Sequence, residues 1–394
     1  MKVITRTIWI LSLISLFTDV ASEMLYPVMP IYLKSINFSV LLIGVLEGFA
    51  EAIAGLSKGY FGKLSDNTGR RLPFVRWGYL LSAISKPMMA VFTFPAWVFS
   101  ARALDRLGKG LRTGARDALL SDETTAATKG RVFGFHRSMD TVGAVLGPSV
   151  ALLFLFYHPG KYKLLFYLAF FPGLLAVIFT YLIKERNIKS RDQAIKTYFL
   201  DFLKYWKQSP AMYRKLVTGL LLFTLFNSSD VFLLLKIKAA GYSDTMTIGV
   251  YIFYNLVYAL CSYPLGILAD KLGLKNVFIS GLAVFAVVYG GMAFNNKLCL
   301  FFVLFFLYGV YAAATEGIAK AWISNIADRN DTATAIGTFT SFQSICTLIA
   351  SSVAGLLWYQ FGAMVTFLAS AVVTVIVVIY FLLLSNKEAK PLGS

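Results

Sequence analysis

Apolar runs long enough to cross a bilayer as helices, about 20 residues each, recur twelve times in this 394-residue chain. They lie near 7–33, 39–62, 73–94, 96–120, 131–157 and 163–184, and again near 213–237, 246–269, 276–294, 299–325, 333–359 and 363–385. The polar connections alternate. Those after the second, fourth, sixth, eighth and tenth segments are longer and charged, and the others are short, such as Phe94-Pro95 and His158-Pro159-Gly160-Lys161. The pattern predicts an all-α membrane protein of twelve transmembrane helices. An N-terminal six-helix bundle takes residues 1–184, a linker 185–212, a C-terminal six-helix bundle 213–386 and a tail 387–394.

The two bundles read as copies. A charged string between the second and third segments, Gly62-Lys63-Leu64-Ser65-Asp66-Asn67-Thr68-Gly69-Arg70-Arg71, returns in fainter form at an offset of 204 as Gly266-Ile267-Leu268-Ala269-Asp270-Lys271-Leu272-Gly273-Leu274-Lys275. Ile43-Gly44-Val45 and Ile248-Gly249-Val250 open the second and eighth segments alike, and Gly114 and Gly134 match Gly317 and Gly337. Parallel repeats of this kind in membrane proteins serve alternating access, with substrate held where the halves meet.

Composition agrees with the pattern. The chain is 58% hydrophobic and 14% charged, well below the quarter or so of charged residues in a soluble domain. A net charge of +17 would suggest nucleic acid in a soluble protein. Here nine Lys/Arg against three acids crowd into 184–215, the mark of a cytoplasmic loop by the positive-inside rule. Both termini and the linker are therefore expected inside, and no nucleic-acid partner is expected. Within the linker, Tyr198 to Trp206 reads as an amphipathic surface helix. The first apolar run, continuing to Leu33, is too long for a cleavable signal. Cys261, Cys299 and Cys346 lie in apolar runs without ligand spacing and are expected as small buried hydrophobes, with no metal and no cofactor. No catalytic arrangement and no nucleotide-binding Gly-rich loop followed by lysine is present, so the reading is not an enzyme and not an ATP-driven pump.

The first charged loop resembles the signature between helices two and three of the major facilitator superfamily, with Gly62, Leu64, Asp66, Gly69, Arg70 and Arg71 in register. Asn67 stands where a basic residue is usual, and the second copy has Leu274 in place of an arginine. Arg106-Leu107-Gly108-Lys109-Gly110-Leu111-Arg112 is similar to the fourth-helix motif, and Gly143-Ala144-Val145-Leu146-Gly147-Pro148 to the fifth-helix motif of the antiporter branches. The resemblance implies the two-bundle fold, secondary transport, and a central cavity lined by helices one, four, seven and ten. In the loop itself, Gly62 and Gly69 permit a tight turn and close helix approach. Asp66 can cap a helix start or face a positive helix end, and Asp270 stands in its place in the copy. Arg70, with Arg71 beside it, can reach Asp117 or Asp122 on the fourth helix, making a conformational latch. Gly143 and Gly147 allow a close helix pair, and Pro148 bends the fifth helix.

Ionisable residues inside membrane spans are costly, and so are functional or paired. On the first helix Ser12, Ser15, Asp19, Ser22 and Tyr26 form one polar stripe, with Glu23 beyond Asp19. Glu47, Glu51 and Lys58 share a stripe on the second. The fourth carries Arg102, Arg106, Lys109, Thr113 and Arg116, with Asp105 and Arg112 beside them. The C-terminal half offers Asn227, Ser228 and Asp230 on the seventh helix, Tyr251, Tyr254, Asn255 and Tyr258 on the eighth, and Tyr311, Glu316 and Lys320 on the tenth.

These residues suggest a proton-coupled exporter of amphiphilic or anionic small molecules in a bacterial inner membrane, acting as a monomer. Asp19 and Glu51, then Glu23, Glu47 and Glu316, are the proton-coupling candidates. Arg102, Arg106 and Lys109, with Tyr26, Asn227, Ser228, Asp230, Tyr254, Asn255 and Tyr311, are the substrate-binding candidates. An uptake symporter or facilitator for an organic anion would suit the same bases. A sensor or lipid scramblase on a transporter fold is the rival of another class, separated by whether proton movement is linked to solute flux.

Overall fold

The computed structural model describes residues 3–26, 28–38, 40–184 and 198–384. Linker residues 185–197 and the tail 387–394 lie outside that set. Among the described residues the chain forms fourteen α-helices and two single-turn 3₁₀ segments, with no strand. In order, the helices are α1 (Arg6–Glu23), α2 (Met29–Ser35), α3 (Val40–Thr68), α4 (Leu72–Val91), α5 (Pro95–Asp122), α6 (Lys129–Tyr157), α7 (Tyr162–Thr180) and α8 (Asp201–Gln208). Then come α9 (Ala211–Thr224), α10 (Asp230–Ala239), α11 (Asp244–Leu272), α12 (Leu274–Phe294), α13 (Leu298–Ile326) and α14 (Thr332–Leu383). Six of the stretches, 126–157, 162–180, 249–272, 274–294, 298–326 and 329–383, are long and apolar enough to cross a membrane. The charges of α5 explain why it is not among them.

Two of the twelve apolar runs are broken helices. The first divides into α1 and α2, with Pro30 in the first turn of α2, where its missing N–H is not needed. The seventh divides at Leu225–Ser229 into α9 and α10, and the Ser229 hydroxyl caps α10 by accepting the Val231 N–H. Both breaks fall in polar or turn-forming stretches flanked by apolar residues, so hydropathy alone runs straight across them. The last two runs are one continuous α14 in hydrogen-bonding terms, turned at Gly362, whose φ of 81° suits glycine. The expected surface helix is α8, which buries Phe202 and Tyr205 and leaves Tyr198, Phe199 and Leu200 exposed before it. Cys299, expected to be buried, is exposed on the first turn of α13.

Two compact units emerge, and they do not follow the sequence halves. One contains residues 1–123, 139–208 and 328–344, the other 124–138, 209–327 and 345–394. The starts of α6 and α14, equivalent segments of the repeat, each pack with helices of the other half of the chain. The first unit's core joins α2, α4, α5 and α7 around Tyr32, Met89, Val98 and Phe166, and the Tyr32 hydroxyl donates to the Met89 carbonyl at 2.7 Å. The second unit's core is aromatic, with Phe285 stacked on Tyr289 at 4.0 Å and packed against Phe223 and Tyr311. Outward-facing Leu153, Phe156, Leu260 and Leu382 are exposed, as helices facing lipid rather than water require.

Candidate functional site

In the first unit, α5 turns its basic residues toward α1 and α4. A cavity of about 70 Å³ opens there, lined by Asp19, Glu23 and Tyr26 from α1 and the turn after it, Lys86 from α4, and Arg102, Asp105, Arg106, Lys109 and Arg112 from α5. Five bases against three acids make it electropositive. Its volume holds a few waters, so an organic solute requires it to widen.

The charges are ordered. Asp105 is the hub: Lys86 Nζ lies 2.7 Å from Oδ1 and Arg102 3.7 Å from Oδ2, and the Ser85 hydroxyl donates to Oδ1 at 3.4 Å. Arg112 donates to Ser82 Oγ at 2.6 Å and covers the Tyr79 ring at 4.6 Å. Deeper along α5, Arg116 binds Asp117 at 2.9 Å and donates to Ser15 at 3.0 Å. Glu51, about half exposed, lies 3.4 Å from Arg106. Lys109 faces both Glu51 and Asp19 and exposes its side chain. The side chain of Glu47 lies outside the described residues. Lys86 is the cavity residue that the sequence did not single out. A lone lysine in Ile84-Ser85-Lys86-Pro87 was itself the signal, but its partner sits on another helix. Gly143 and Gly147 of α6 press on α1, where an added Cβ would lie 2.6 Å from the Leu16 carbonyl and 2.7 Å from the Met24 nitrogen. Pro148 follows inside the helix.

The second unit assembles the C-terminal candidates into a different environment. The Tyr308 hydroxyl donates to Asp230 Oδ1 at 2.7 Å, Asn227 donates to the Tyr311 hydroxyl at 3.2 Å, and Ser228 meets Tyr289 at 3.1 Å. Tyr254 packs on Tyr308 with centroids 5.0 Å apart. Asn255 turns back to its own helix, donating to the Tyr251 carbonyl at 3.0 Å. Glu316 pairs with Arg137 of α6, which also donates to the Tyr258 hydroxyl. Among the described residues no group of three His, Cys, Asp or Glu is placed to hold a metal ion.

The repeated loop acids do the same job twice. Asp66 accepts the Ala333 and Thr334 N–H groups at 3.4 and 2.6 Å and the Thr334 hydroxyl at 2.7 Å, in the first turn of α14. Asp270 accepts the Gly130 and Arg131 N–H groups at 2.7 and 3.1 Å, in the first turn of α6, with Arg131 Nε at 2.7 Å. Both satisfy helix N–H donors that have no partner within their own helix. Gly62 makes the approach possible, since a Cβ there would lie 2.4 Å from the Ala333 carbonyl. Gly69, at φ 63°, closes α3.

The arginine expected to complete the latch is a different one. Arg70 is exposed. Arg71, at the start of α4 and 2% exposed, lies 3.5 Å from Asp66 and 3.1 Å from Asp122, and donates to the Arg329 carbonyl at 3.2 Å. Asp117 is taken by Arg116, so Asp122 is the fourth-segment carboxylate that joins the network.

Asp66 lies beyond the apolar part of α3. Burial pushes its carboxyl up to about 6, with Asp331 adding to the rise and Arg71 and the Thr334 hydrogen bonds pulling down. A carboxyl more easily protonated when docked than when solvated favours docking as pH falls. The gain is absent above about 6 and accrues toward the ordinary value of about 4. Exchange protection of the Ala333 and Thr334 amides, corrected for intrinsic rates, is therefore expected to rise over that window. A fall would contradict the assignment.

A multi-pass helical protein with charges paired inside its spans and two repeat-related acids docking exchanged helix starts is built as a transporter. The chain belongs to the Major Facilitator Superfamily, whose profile matches residues 11–255 and 240–394. An uncharacterized MFS-type transporter of Methanocaldococcus jannaschii is 32% identical over 381 residues, covering 95% of this chain and 93% of that protein. Citrate exporter 1 of Aspergillus niger is 23% identical over 143 residues, 36% of this chain and 27% of the exporter. Among solved structures, the human organic anion transporter MFSD10 matches with a TM-score of 0.81 at 15% identity, covering 95% of this chain and 99% of that one.

Proposed function

We propose that this transporter carries small organic anions in a proton-coupled cycle, binding the anionic group in the first unit's cavity. The observation that carries the reading is the excess of bases there, with Lys109 exposed and Arg106 3.4 Å from a half-exposed Glu51. An arriving carboxylate or phosphate replaces Asp19 at Lys109 and Glu51 at Arg106. The displaced carboxylates lose a neighbouring cation and gain a neighbouring anion, and both changes favour their protonation. Anion and proton thus bind together, which suits movement of both in one direction. The names of the human organic anion transporter and the citrate exporter support an anionic cargo.

Export in exchange for protons is the second reading, favoured by the fifth-helix Gly143–Pro148 sequence and by the citrate exporter. We place the twelve spans in a bacterial inner membrane as two six-helix bundles of a monomer, with both termini and the linker cytoplasmic. Proteoliposomes under an imposed pH gradient separate the readings. With labelled citrate as probe, co-transport drives accumulation on the alkaline side and exchange drives it on the acidic side. Citrate movement indifferent to the gradient would remove proton coupling.

A further inference from the structure

We infer that Asp230, held by Tyr308, is a proton-binding site of the empty transporter, separate from the carboxylates of the anion cavity. The inference rests on the proton-coupled reading above.

The contrast between the two units points to it. In the first, Asp105 with Lys86, Asp117 with Arg116 and Glu51 with Arg106 all lie within salt-bridge distance, and Asp19 faces Lys109. Asp230 is different, because the side chain that binds it is a neutral hydroxyl, 2.7 Å away. The charged groups facing it are Arg137 on α6 and Glu316 on α13. Arg137 is already engaged by Glu316 and by the Tyr258 hydroxyl, so that pair presents little net charge. Aromatic rings enclose the Tyr308 side chain that holds Asp230. Tyr254, Tyr289 and Tyr311 surround Tyr308, each of them buried.

Opposed influences act on this carboxyl. Desolvation among rings inside a membrane span favours the acid form. The Tyr308 hydroxyl and the N-terminus of α10, whose first residue is Asp230, favour the anion. Such opposed influences suit a carboxyl that takes up and releases a proton, as a proton carrier must. The protonation itself is simple: the carboxylate takes a proton from water, and the Tyr308 O–H bond is not broken. The position also suits a role in the cycle. Asp230 begins α10 at the break after Ser229, and the equivalent break between α1 and α2 borders the anion cavity, where Tyr26 lines it.

Infrared difference spectra of the substrate-free protein in lipid nanodiscs, titrated with pH, test the inference without knowing the cargo. Besides the Asp66 carboxyl, identified by its loss in Asp66→Asn, the wild type is expected to show a second carboxylic acid carbonyl band that titrates with pH. Asp230→Asn should lose it and Asp19→Asn should keep it. Tyr308→Phe should keep the band with its midpoint raised by about one pH unit, because a hydrogen bond to the charged form is gone. A merely structural tyrosine would not move the midpoint. Absence of the band in the wild type, or its survival in Asp230→Asn, would overturn the site. Because no substrate is added, such a failure is distinct from failure of the citrate flux experiment.

Discussion

Replacing Asp105 with asparagine is expected to destabilise the transporter by about 3–5 kcal/mol, the usual effect of stranding a buried charge. Lys86 is 4% exposed and its nitrogen lies 2.7 Å from the carboxylate that would be lost. Arg102 loses the same partner. A second change, Lys86→Met, removes the stranded charge and should recover most of the loss, because an apolar residue of similar length suits the site. Glu51→Gln is the control. Its side chain is 53% exposed beside Arg106, so its loss is expected to stay within about 1 kcal/mol. Thermal unfolding in one detergent reads all three. Equal losses for Asp105→Asn and Glu51→Gln would mean that Asp105 is not the hub.

The second large effect is expected at Asp66. Asp66→Ala removes the acceptor of two N–H groups and a hydroxyl at the start of α14. Charge-assisted hydrogen bonds contribute about 1.5–3 kcal/mol each. After allowance for the burial cost of the carboxylate, a net loss of about 3 kcal/mol follows, a shift of roughly a hundredfold in a two-state ratio. Asp66→Asn keeps an acceptor oxygen and should be milder. Arg71→Ala should resemble Asp66→Ala, whereas Arg70→Ala should have almost no effect. Amide exchange at Ala333 and Thr334 measures the docking directly. A response to Arg70→Ala as large as that to Arg71→Ala would return the latch to the neighbouring arginine.

The Arg70 and Arg71 result indicates where the sequence is readable. The apolar runs, the 204-residue repeat and the paired acids Asp66 and Asp270 are legible because each is a local pattern carrying a physical cost if it is not used. Which of two adjacent arginines turns inward depends on the angle at which α4 starts, and no local pattern records it. The same holds for Asp117 and Asp122, five residues apart on α5, one held by Arg116 and the other by Arg71. The separate stripes of α1 and α5 followed from helical spacing, and the resemblance to the superfamily is what placed Asp19 and the α5 bases together. Lys86 followed from neither, since it has no charged neighbour one turn away on its own helix and meets Asp105 only through packing. The exchange of α6 and α14 between the units joins Asp66 to residues more than 260 positions away, beyond any periodicity.

The central claim is that the cation-rich cavity of the first unit binds an anion, and ligand-induced thermal stabilisation of the purified protein tests it most directly. Citrate, shorter carboxylates and organic phosphates would be compared with the cation tetraphenylphosphonium, in wild type and in Lys109→Gln. We predict that at least one anion class raises the unfolding temperature of the wild type. Its affinity should fall about tenfold in Lys109→Gln, the equivalent of about 1.4 kcal/mol, while tetraphenylphosphonium leaves both proteins unchanged. Stabilisation by tetraphenylphosphonium with no response to any anion would contradict the account.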